Sequence, residues 1–69
     1  MIATARALIE ALDGEKHGAL TRMAKRLGVT RQMVGKAVAR NHIPATWHYR
    51  LAQWARAAKL KVNPALFAG

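Results

Sequence analysis

Arg31, Gln32 and Lys36 are the residues of this chain best suited to specific chemistry. At about 100° per residue on a helix, they fall on one broad face. A guanidinium or ammonium group can donate to O6 and N7 of guanine, and a carboxamide pairs with N6 and N7 of adenine. A good contact of this kind discriminates between bases by about 1–3 kcal/mol. Other cations lie close by in sequence: Arg22, Lys25, Arg26 and Arg40, with His42 just beyond. These suit phosphates, which supply affinity and orientation but no sequence information. Each cation is also readable as a solvated side chain on a helix surface, Lys25 and Arg26 equally so.

The charge supports a polyanionic partner. All three acids, Glu10, Asp13 and Glu15, lie near the N-terminus. From Lys16 onward there are eleven Lys or Arg residues and no acid, and the whole chain carries +9. Such a field attracts nucleic acid. Solubility alone would account for a basic surface, but not for the exclusion of acids over so long a stretch.

Positioning those donors requires helices. The 69 residues suffice for one domain, with 52% hydrophobic residues to build its core and few β-branched ones to favour strands. Ile2, Ala5, Leu8, Ile9 and Leu12 recur at helical spacing, predicting a first helix over 2–12 that stops at Gly14. A second helix is expected over 19–27, burying Leu20, Met23, Ala24 and Leu27. Gly28 can take positive φ and turn the chain, and Thr30 can cap a third helix over 31–40. There Val34, Ala37 and Val38 face inward, while Gln32, Gly35, Lys36 and Ala39 face outward, flanked by Met33 and Arg40. Pro44 suits the first turn of a fourth helix. Its expected buried stripe is Trp47, Leu51, Trp54 and Ala58, with Arg50, Arg56 and Lys59 outside. The two tryptophans read as core supports, with stacking on bases as the alternative. Asn63-Pro64 can start a last short turn containing Leu66 and Phe67. The whole of 1–69 thus reads as one all-α domain.

Two crossed helices joined at Gly28 make a helix-turn-helix over about residues 20–39, a device that places one helix in the major groove. The run Ala24-Lys25-Arg26-Leu27-Gly28-Val29-Thr30, followed by Val34 and Ala37, resembles the helix-turn-helix of phage Cro and CI type regulators. Ile43-Pro44-Ala45, with a helix behind it, is similar to the pattern after the recognition helix in Cro-like and YdaS-like proteins. The resemblance covers roughly residues 19–58. It implies a four-helix Cro/CI repressor-like domain with a short C-terminal helical turn, acting as a dimeric transcription regulator on double-stranded DNA. Arg31, Gln32, Gly35 and Lys36 then match base-facing positions, and Met33 a position that touches a thymine methyl. Thr21 matches a phosphate-contacting region, and Thr30 joins Arg22, Lys25, Arg40 and His42 in that set. Leu20 departs from the family, where a polar residue often bonds a phosphate. Gly35 departs too, leaving no side chain in the middle of the reading face. Either the backbone approaches DNA closely there, or that face is not the reader.

The sequence leaves two other functional classes open. One is an interaction subunit or antirepressor acting through a partner regulator; the other is non-specific nucleic-acid coating. A homodimer, or a heteromer with another regulator, is expected. Leu60, Val62, Leu66 and Phe67 are candidates for its interface, followed by the stripe of the first helix; equally, they close the monomer's own core. The three histidines share no metal spacing, and no nucleophile–base–orienter set is visible. No metal site, cofactor or enzymatic activity is therefore expected. Without cysteine or a long apolar run, the expected location is the cytoplasm, on the nucleoid, and not a membrane.

Overall fold

The computed structural model describes residues 1–67, so the last two positions of the expected domain lie outside the described residues. Four α-helices follow in order: α1 (Ala5–Asp13), α2 (Ala19–Leu27), α3 (Arg31–Arg40) and α4 (Ala45–Ala57). A turn of 3-10 helix, Pro64–Phe67, comes last. The all-α class holds among the described residues. None of these helices is long and apolar enough to cross a membrane.

Local chemistry sets the helix ends. Thr30 Oγ1 accepts from the Met33 amide at 3.2 Å, a side-chain cap that starts α3 at Arg31. Gly28 adopts φ 75°, and Val29 N donates back to Ala24 O at 2.9 Å, so α2 stops where a Cβ would be strained. Asn41 plays the matching part after α3, at φ 49°. Its side chain does more: Oδ1 accepts from the Ala5 amide at 2.8 Å, joining the end of α3 to the start of α1.

The core is one cluster contributed by all four helices and the C-terminal turn. Leu8, Met23, Val34, Ile43 and Leu51 are its largest fully buried side chains. α2 and α3 make the most extensive helix–helix contact, with the small Ala24 and Ala37 both buried. Small buried side chains on both helices suit close helix packing.

Several expectations are corrected. α1 begins at Ala5 rather than Ile2, because Thr4 caps it, its hydroxyl accepting from the Ala7 amide at 3.1 Å. Ile2 is extended instead: its amide donates to Lys61 O at 2.8 Å and its carbonyl accepts from Asn63 N at 2.7 Å. This parallel bridge with Val62 ties the two ends of the described chain together. On α4, Ala55 takes the core position after Leu51, while Ala58 is exposed. Trp47 is buried, but Trp54 is only half-buried, with the Arg26 guanidinium 4.0 Å above its ring. Leu20 and Val38 are likewise half-buried, packed against the core. Leu66 is buried, and Leu60, Val62 and Phe67 pack on the core, so in the monomer these residues close its own interior.

Candidate nucleic-acid interface

The surface of α3 follows from where its apolar residues go. Val34 and Ala37 are drawn into the core, so residues on the opposite arc are driven outward. Arg31, Gln32, Met33 and Lys36 are all exposed, and Gly35 is half-buried between them. No hydrogen bond or ion pair within the described residues engages the side chain of Arg31, Gln32 or Lys36. The three donors point at solvent from a helix fixed at both ends.

Gly35 has a plain geometry. Its φ is not positive, and a Cβ built there would meet nothing within 4 Å. Neither the backbone nor the packing of this chain needs glycine at that position. Alanine would be the better helix former by about 1 kcal/mol.

The cations expected to meet phosphate divide into two groups. Lys25 and Arg40 are exposed and enter none of the ion pairs among the described residues. Thr21 and His42 are exposed as well. Thr30 is exposed, but its hydroxyl is already the α3 cap. Arg22 differs most from the expectation. Its Nε donates to Asp13 Oδ1 at 2.7 Å and its Nη2 to Asp13 Oδ2 at 2.6 Å. Nη2 also donates to the His17 carbonyl and lies 3.6 Å from a Glu15 carboxylate oxygen. With Nε and Nη2 turned to Asp13 and the loop, Arg22 fastens the α1–α2 loop, and its fork faces that corner of the molecule. Arg26, stacked on Trp54, is held to α4 in a similar way.

Two hollows bracket α3. One, about 180 Å³, brings Thr21 and Arg31 together with Lys16, His17 and the Arg6–Glu10 pair at the start of α2. Arg6 and Lys16 have no spacing that links them to α3; they come from α1 and the loop, and only folding gathers them. The other hollow, about 300 Å³, is lined by Met33, Lys36, Ala37, Arg40, His42, Pro44 and Trp47. It joins the second half of α3 to the opening of α4. Arg50 is exposed, as expected, and also caps the end of α2, its Nη1 donating to Leu27 O at 2.9 Å. A cation there also suits the negative end of the helix dipole.

All three acids lie in the α1–loop corner, paired with Arg6 or Arg22. The bidentate grip of Arg22 holds the Asp13 carboxyl below its ordinary pKa, and Arg22 is raised in return. The acids thus compensate the cations of their own corner, leaving the face of α3 positive. Among the described residues, no group of three or more His, Cys, Asp or Glu side chains could hold a metal ion. Comparison with family models, curated proteins and solved structures finds no match to this chain.

Proposed function

We propose that this chain is a sequence-specific DNA-binding transcriptional regulator, a repressor of Cro/CI-like type, that inserts α3 into the major groove. One observation carries the reading: Arg31, Gln32 and Lys36 stand unpaired on the exposed arc of a helix whose ends are capped and whose other arc is locked to α2. Donors held this way read base edges without first breaking contacts of their own. Lys25, Arg40, Thr21 and His42 then meet phosphates on either side. A symmetric operator recruits two copies, or one copy and another regulator, with half-sites about 34–36 Å apart.

The freedom of α3 distinguishes this reading from coating by charge alone. Coating needs cations anywhere on the surface, and gains nothing from an exposed carboxamide between two of them. Titration of labelled duplex from the region upstream of the chain's own coding sequence, against scrambled duplex, tests the proposal. It predicts a preference of several kcal/mol for the native duplex. Equal affinity for the two would replace it with non-specific binding.

A further inference from the structure

The hollow between α3 and α4 combines two chemistries. Its volume is about 300 Å³, at the lower end of sites that accept an organic group. Met33, Ala37, Pro44 and Trp47 give it an apolar floor, and the exposed Lys36, Arg40 and His42 surround that floor. Met33 is 47% exposed, a large apolar side chain left in water on an otherwise basic surface. Its thioether chain is flexible and adapts its shape to a bound group.

We propose that this groove docks an acidic polypeptide segment, seating one large apolar side chain on Met33 and Trp47 while flanking carboxylates meet Lys36, Arg40 and His42. Charge complementarity selects the occupant. No acid occurs in the sequence from Lys16 onward, and neither Lys36 nor Arg40 has an ion-pair partner among the described residues. A duplex fills such a site poorly, since a thymine methyl is the largest apolar group its major groove offers. A leucine or phenylalanine side chain would cover the floor. Because Met33 and Lys36 also lie on the face assigned to bases, the docked segment excludes DNA. The groove itself does not depend on the DNA-binding reading; only this exclusion rests on it.

The test uses two fluorescein-labelled peptides, Asp-Glu-Asp-Phe-Glu-Asp-Glu and the same peptide with Ser in place of Phe. Anisotropy titrations are made at about 0.15 M and about 0.5 M salt, where the Debye length is about 8 Å and about half that. The Phe peptide is expected to bind about tenfold more tightly, a ratio that survives high salt while both affinities fall. Met33→Glu, an exposed change checked by circular dichroism, should erase the advantage of Phe. Amide and indole shifts on peptide addition should centre on Met33, Lys36, His42 and Trp47. Equal affinity of the two peptides, or shifts centred elsewhere, would overturn the proposal. In a final arm duplex is added to the bound peptide. Release supports a shared surface; a peptide that stays bound beside bound duplex overturns the exclusion and the placement of DNA on α3, but not the groove.

Discussion

Arg22 holds Asp13 by two nearly parallel hydrogen bonds, at 2.7 and 2.6 Å, across the loop that separates α1 from α2. The pair joins the last residue of α1 to the first turn of α2, beside the apolar contact that the two helices already make. It also turns the Arg22 guanidinium toward the acidic corner of the molecule.

This contact predicts a pH dependence. The Asp13 carboxyl is held below its ordinary pKa, chiefly by the hydrogen bonds from Arg22. Folding therefore favours its charged form. That contribution is fully present above about pH 4, the unfolded carboxyl value, and is lost as pH falls through the lower folded value. Thermal unfolding from pH 7 down to pH 2 should show stability falling through this acid limb. Asp13→Asn should flatten the limb and leave the neutral-pH site on α3 intact. An unchanged limb in the variant would show that the pair is not coupled to folding.

Gly35 gives a second prediction, in which stability and binding move in opposite directions. Since the position is open and its φ is ordinary, Gly35→Ala should stabilise the fold by about 1 kcal/mol. The melting temperature should rise by about 4–8 °C for a domain of this size. If the α3 backbone approaches DNA closely there, the same variant should bind duplex more weakly. Higher stability with unchanged DNA affinity would mean that the glycine serves no close approach.

Asn41 separates two effects at one residue. Glycine there keeps the left-handed turn but loses the bond to the Ala5 amide, whereas alanine loses the bond and strains the turn. Asn41→Gly is expected to cost about 1 kcal/mol. Asn41→Ala should cost about 1 kcal/mol more, from the left-handed penalty. Urea unfolding of the three proteins checks this order, and equal costs would contradict it.

These contacts also show which features were legible in the sequence. Thr30 and Gly28 mark the ends of α3 and α2 through bonds that span only three to five residues, so local spacing reveals them. The same holds for the outward face of α3, which follows from Val34 and Ala37. Asn41 to Ala5, and Arg50 to Leu27, span 36 and 23 residues, and no periodicity encodes them. Trp54 and Ala55 show a subtler difficulty. They lie three and four residues past Leu51, on either side of the same stripe, and size does not decide which turns inward. The small Ala55 faces the close-packed core, and the indole of Trp54 remains at the rim beneath Arg26. Ile2 had the right spacing for α1, but its extended pairing with Val62 depends on where the C-terminal segment returns.

The central claim is that α3 reads bases while the cations beside it only hold the backbone. It is tested most directly by comparing Gln32→Ala and Arg31→Ala with Lys25→Ala, on the native and scrambled duplexes over a range of salt. The α3 variants should lose about 1–3 kcal/mol on the native duplex and little on the scrambled one. Lys25→Ala should weaken both alike and reduce the log–log salt slope by about 1, from about −5 if roughly six phosphates are neutralised. If the α3 variants instead weakened both duplexes equally, with no loss of preference, α3 would not be the reading helix.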